Sequence, residues 1–171
     1  MWVRSEYAGE LAVLSTWLCA LLPWAVSYRT LGEFRLYRLH FHYAFLQFVP
    51  GADLGQALDP FVAVYDGPGF PADPTTAAGY QWWLVGAAAF TLVLAWSVVY
   101  YVCDEQLETR SPVDPVRVTG GLLVAVALAL TASTYYVSSG FSGTTVPVGL
   151  VFIYLFGGLL LVVERASATR D

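Results

Sequence analysis

The sequence predicts an all-α membrane protein: a four-transmembrane-helix bundle with an extracytoplasmic loop of about fifty residues, carrying a short β-hairpin, between helices 1 and 2. Three observations lead there. Hydrophobic residues make up 57% of the 171 residues, above the roughly 45–50% of soluble domains. Four runs, 11–28, 80–102, 118–137 and 146–163, contain no Asp, Glu, Lys or Arg. The charged residues, 12% of the chain, collect in the segments between them, so that 1–171 forms one membrane domain.

The first run, 11–28, is just long enough for an apolar core of about 30 Å. Arg4 before it and Ala25-Val26-Ser27 at its end resemble a cleavable leader. Glu6 and Glu10 spoil the basic segment that a leader needs, so a retained span is the reading. The runs 80–102, 118–137 and 146–163 are joined by short connections and are expected to pack as antiparallel neighbours. Aromatic residues fall where interfacial belts belong, with Trp24, Tyr28, Tyr80, Trp82, Trp83, Tyr135 and Tyr136 on one side and Trp2, Tyr7, Tyr100 and Tyr101 on the other.

The connection 29–79 is too long to be idle. Within it, Glu33-Phe34-Arg35-Leu36 and Arg38-Leu39-His40-Phe41-His42-Tyr43 alternate polar and apolar, which predicts a strand bulged at Leu36-Tyr37. Residues 61–65, followed by Asp66-Gly67-Pro68-Gly69, are the expected hairpin partner, and 70–79 reads as a linker. Arg4, Arg110, Arg117, Arg165 and Arg170 on one side outnumber Arg29, Arg35 and Arg38 on the other. A multi-pass cell-membrane protein with both termini cytoplasmic follows from that bias.

Small residues recur at helical intervals: Gly121, Ala125, Ala129 and Ser133 in the third run, Ala87, Thr91 and Ala95 in the second, and Gly149, Gly157 and Gly158 in the fourth. In lipid, helices approach closely through such faces, so they are helix-packing residues. They serve the chain's own bundle or a docking surface for another membrane protein or a second copy.

The spans carry no acidic, basic or histidine side chain that would mark a proton relay or ion path. The ligand-binding candidates are Arg35, Arg38, His40 and His42, a cationic patch suited to a lipid headgroup, an anionic ligand or a quinone. His-x-His spacing occurs in metal sites, but no further ligand stands at a diagnostic interval, so no metal or cofactor is expected. No hydrolase elbow, phosphate-binding loop, zinc-protease motif or Cys-x-x-Cys pair occurs, and no catalytic residue is assigned. Cys19 and Cys103 fall at different depths and are not expected to pair.

All eight basic residues are arginine, asparagine is absent, isoleucine occurs once, and acidic residues number 13. In this composition the chain resembles small integral membrane proteins of haloarchaeal type. The acidic balance argues against a nucleic-acid partner. The expected function is therefore that of a non-catalytic accessory or scaffold component of the membrane, with the bilayer and a membrane protein as partners. The alternative is a protein that handles a ligand, lipid or quinone through its Arg/His segment.

Overall fold

The computed structural model describes residues 2–51, 59–103, 107 and 113–166. Strand β1 (Trp2–Arg4) leads into α1 (Ser5–Leu21), followed by β2 (Ala25–Leu31), β3 (Phe34–His40), β4 (Ala44–Phe48) and β5 (Phe61–Ala63). A 3-10 turn at Gly67–Gly69 precedes α2 (Pro74–Val102); then come α3 (Pro115–Gly140), β6 (Thr144–Val146), α4 (Val148–Val162) and β7 (Glu164–Ala166).

The all-α, four-span expectation is corrected by this architecture. The fold mixes helices with a five-stranded antiparallel sheet ordered β5-β4-β3-β2-β6, and among the described residues only α2 and α3 are long and apolar enough to cross a membrane. Helices α1 and α4, at 17 and 15 residues, reach only about 25 and 22 Å, short of the roughly 30 Å apolar core. The physical reason lies at the ends of the apolar runs. Pro23 follows the last turn of α1, and the residues after it pair as β2, while Thr144–Val146 pairs with β2 ahead of α4. Hydropathy alone does not distinguish an apolar strand from the end of an apolar helix.

The expected hairpin is likewise only a fragment of the sheet. Strand β3 pairs with β2 on one side, from Ala25↔His40 to Leu31↔Phe34, without a bulge at Leu36-Tyr37. Its other neighbour is β4, and β5 pairs with β4 rather than with β3. Gly32, with φ of 62°, turns the chain between β2 and β3 in the left-handed region that glycine enters without steric cost. The supposed linker ahead of residue 80 is helical from Pro74, its first turn capped by the Asp73 carboxylate, which accepts from the Thr76 N–H at 2.7 Å. Asp114 caps α3 in the same way, 2.9 Å from the Val116 N–H, again with proline next in the chain.

Helices α2 and α3 form a long antiparallel hairpin. Their backbones approach at Gly79, where an added Cβ would meet Val137 and Ser133, and at Gly86, where it would meet Leu130. Against one half of this hairpin pack α1 and α4: Gly9 faces Tyr100, and Gly120 lies against the Gly157 carbonyl. Against the other half packs the sheet, held by Tyr80, Trp83 and Phe90 of α2. Trp24 is the joint between the two. Its N–H donates to the His40 carbonyl at 2.8 Å, and its carbonyl accepts from the first amides of α4, Gly149 and Leu150, at 3.2 Å. At the far end β1 and β7 pair in parallel, tying the two ends of the described chain together.

Helix α1 is arranged inside out. In α1 the inward residues are Ala8, Ala12, Ser15 and Cys19, whereas Leu14, Trp17, Leu18 and Leu21 face outward. Helices α2, α3 and α4 bury large side chains, among them Trp83, Phe90, Leu123, Leu130 and Ile153, and still leave Leu92, Leu128 and Val151 about 60% exposed. Only 33% of the most apolar stretch of α2 and 50% of that of α3 is buried within the chain. Several helix hydroxyls bond to their own backbone, as Thr16 does to the Ala12 carbonyl and Thr131 to that of Ala127, whereas buried Ser133 Oγ has no partner among the described residues.

Candidate functional site

Alternation along β3 divides the arginine-histidine segment between two faces of the sheet. Leu36, Arg38 and His40 point toward the helices, and Arg35 points away and is exposed. His42 follows the strand end and is buried in the β3–β4 turn. Arg38 and His40 are thus brought together, while Arg35 stands apart and His42 enters a second environment.

Arg38 is anchored from several directions. Its Nε donates to Gln47 Oε1 at 2.9 Å, across the β3–β4 pair. Gln47, 2% exposed, in turn donates to the Asp59 carbonyl at 2.7 Å. The guanidinium lies 5.1–5.5 Å from the rings of Phe45, Phe70 and Phe141, a cage suited to a cation. It borders a cavity of about 290 Å³ with Arg29, Phe70, Asp73, Thr76 and Ser142. Arg29 donates to the Ser142 hydroxyl at 3.0 Å, and Asp73 Oδ2 is engaged by both the N–H and the hydroxyl of Thr76. The cavity therefore combines two guanidinium groups and one carboxylate, set between the sheet and the α2–α3 ends.

His40 sits one register deeper, within an aromatic box of Trp24, Phe45, Tyr80 and Trp83 at 5.4–6.3 Å between ring centroids. Its Nε2 lies 3.5 Å from the Tyr80 hydroxyl. Burial pushes its pKa down to about 3, the Arg38 charge adds to that, and the Ala25 backbone offsets part of it. His42 stacks on Phe90 at 3.8 Å, and neither of its ring nitrogens has a hydrogen-bond partner among the described residues. Burial alone lowers its pKa to about 4. Between the two histidines, the Phe41 carbonyl accepts from the indoles of Trp24 at 3.2 Å and Trp83 at 2.9 Å, fastening the turn to α2.

Among the described residues no group of three His, Cys, Asp or Glu side chains converges. Among the described residues that line the cavity, the one carboxylate, Asp73, is engaged by the N–H and the hydroxyl of Thr76 as a helix cap, and the other charged groups are the two arginines. The two guanidinium groups that line the cavity are suited to an anion, and the Asp73 carboxylate beside them opposes one.

The small residues fall into two sets. Ala87, Ala129, Ser133, Gly149 and Gly157 are buried inside the chain, Gly149 against Pro23 and Trp24, and Gly157 against Val124 and Gly120. Gly121, Ala125, Thr91 and Ala95 are exposed, and Gly158 is half-buried. A Cβ on Gly121 or Gly158 would meet nothing within 4 Å. Arg110 and Arg170 lie outside the described residues.

Sequence reasoning missed Arg29, Gln47 and Asp73 as site residues. The signal for Arg29 was the alternation Ala25-Ser27-Arg29 against Val26-Tyr28-Thr30, which ran on from an apolar stretch. Asp73 was marked by the Asp-Pro pair that opens a helix. Gln47 carried no local signal, because its burial is set by pairing with Arg38 across the strands.

No curated protein matches this chain. A family model, the family of unknown function DUF7549, matches residues 1–165, and the chain belongs to that family.

Proposed function

We propose that this protein is a non-catalytic accessory or scaffold component of a cell membrane, embedded through α2 and α3 with α1 and α4 packed beside them. The observation that carries the reading is the apolar exterior of the helices, where Leu14, Leu21, Leu92, Val102, Leu128 and Val151 are all about 60% exposed or more. In water so much exposed apolar surface drives aggregation, whereas in lipid it is the ordinary exterior. Helix α2, at 29 residues, is about 43 Å long, matching the roughly 40–45 Å of a bilayer with its headgroups. The arginine bias supports an orientation with the β1–β7 end in the cytoplasm and the Pro74 end of α2 outside.

Partner association is supported by the outward side of α3, where Gly121 and Ala125 leave the backbone open to close approach by another helix. The acidic, lysine-free composition fits a haloarchaeal-type membrane and molar salt. Mild-detergent extraction at high salt, followed by sizing and identification of co-purifying chains, tests this reading. A species larger than the monomer is expected, and a strictly monomeric one counts against the scaffold role.

The Arg29–Arg38 cavity favours a second reading, in which the protein holds a small anion such as phosphate at the outer end of α2. Titration of the detergent-solubilised protein with inorganic phosphate, followed by tryptophan fluorescence, tests it. Saturable binding that is lost in Arg38→Ala supports this reading, and its absence from the unaltered protein removes it.

A further inference from the structure

We propose that the outer face of the five-stranded sheet is a lipid contact, seated in the headgroup layer with its lowest row at the acyl chains. The inference rests on the reading of the helices as membrane-embedded and extends it to the sheet.

Strand register sorts the outward side chains into rows that cross the sheet. The first holds Val146, Val26, Leu39, Leu46 and Phe61, one from each strand. None of the five is buried, and Phe61 is 59% exposed. The second row holds Thr144, Tyr28, Tyr37 and Phe48, with Tyr37 stacked on Phe48 at 5.8 Å and 6.4 Å from Tyr28. The third holds Thr30 and Arg35, both exposed. Along the strands the face therefore passes from four aliphatic side chains and Phe61, to a row rich in aromatic rings, to a polar row that carries Arg35.

That order is the order of a bilayer surface: chains, then the interfacial zone that tyrosine prefers, then phosphates. Two residues of strand advance about 7 Å, so the three rows span about 14 Å, enough to cross a headgroup layer of roughly 5–8 Å. The direction is also correct. The aliphatic row lies at the start of β2 and the end of β6, beside the end of α1 and the start of α4. There Leu18, Leu21, Leu22, Val148, Val151 and Phe152 are exposed, so the apolar exterior continues from the helices onto the sheet. A sheet face standing in water alternates to polar residues, and a face docked on a protein has no reason to be graded along the strand axis.

The test uses the full chain with Cys19→Ala and Cys103→Ala, reconstituted in mixed phosphatidylcholine and phosphatidylglycerol vesicles. Spin labels are attached singly through Leu46→Cys, Phe48→Cys and Arg35→Cys on the sheet, and Leu128→Cys on α3 as a control. Collisions with oxygen, which enters lipid, and with a water-soluble nickel chelate are then measured. The expected result is loss of nickel broadening at Leu128 and Leu46, partial loss at Phe48 and full broadening at Arg35, with oxygen reaching Leu46. If Leu128 is shielded but the three sheet labels meet nickel equally, the sheet stands in water and the inference falls alone. If the Leu46 label meets neither probe, a protein covers the face and the inference is overturned. A Leu128 label open to nickel overturns the membrane reading and the inference together. Should Leu46→Cys fail to fold, Phe61→Cys in the edge strand gives the same readout.

Discussion

Acidification should unfold this protein through two histidines. His40 and His42 are held neutral by burial, with pKa values lowered to about 3 and about 4, while the unfolded chain titrates near 6.5. The unfolded state therefore binds more protons as pH falls. The stability associated with neutral histidine is complete above about pH 6.5 and is lost as pH falls through 4 for His42 and through 3 for His40. At pH 5 each group contributes a loss of about 2 kcal/mol, together about 4, against a typical total of 5–15. His42→Phe separates the two contributions: it keeps a ring against Phe90, removes one titration and eliminates two nitrogens that lack hydrogen-bond partners among the described residues. At pH 7.5 the variant should equal or exceed the parent, by up to about 1–3 kcal/mol. Its loss between pH 7.5 and pH 5 should be about half that of the parent. Reversible unfolding in mixed micelles, followed by tryptophan fluorescence at the two pH values, measures both. An acid loss in His42→Phe as large as in the parent would refute the reasoning, as would a parent equally stable at both pH values.

Neighbouring glycines in α3 should respond in opposite ways. Gly120→Val drives side-chain atoms into the Gly157 carbonyl and Leu160 and should cost about 1–3 kcal/mol or more, whereas Gly121→Ala meets open space and should gain up to about 1 kcal/mol in helix propensity; thermal unfolding in detergent compares them. Gln47→Leu deprives Arg38 Nε and the Asp59 carbonyl of their partner and should destabilise by about 1–3 kcal/mol in the same assay. Tyr154→Phe removes only the hydroxyl contact to Thr131, and the expected cost, about 0.6 kcal/mol, is that of an average interhelical hydrogen bond in a membrane.

The parts of this fold that were legible in the sequence are those whose signal is local. The apolar lengths of α2 and α3 were plain, and alternation marked β3 from Phe34 to His40. Strand β2 was hidden because it continues an apolar run without a break in hydropathy, with Pro23 as the one punctuation mark. The starts of α2 and α3 were written as Asp73-Pro74 and Asp114-Pro115, a signal that hydropathy windows do not use. Strand β6 takes Thr144 and Thr145 from the short connection between the third and fourth apolar runs and Val146 from the fourth run itself, and only its pairing with β2, more than a hundred residues earlier, makes it a strand. The site divided for the same reason. Arg35, Arg38, His40 and His42 are neighbours in sequence, but the pleat sends Arg35 outward, and the sheet brings Arg38 to Arg29 and Gln47 instead. Even the polar residues of β3 misled, because Arg38 and His40 lie on the face turned toward the helices.

The central claim, that the apolar exterior of the helices is a lipid surface, is tested most directly by alkaline carbonate extraction of membranes from cells producing the full chain. The protein should remain with the sedimented membranes at pH 11 and enter solution only with detergent. Release into the supernatant by carbonate alone would contradict the account.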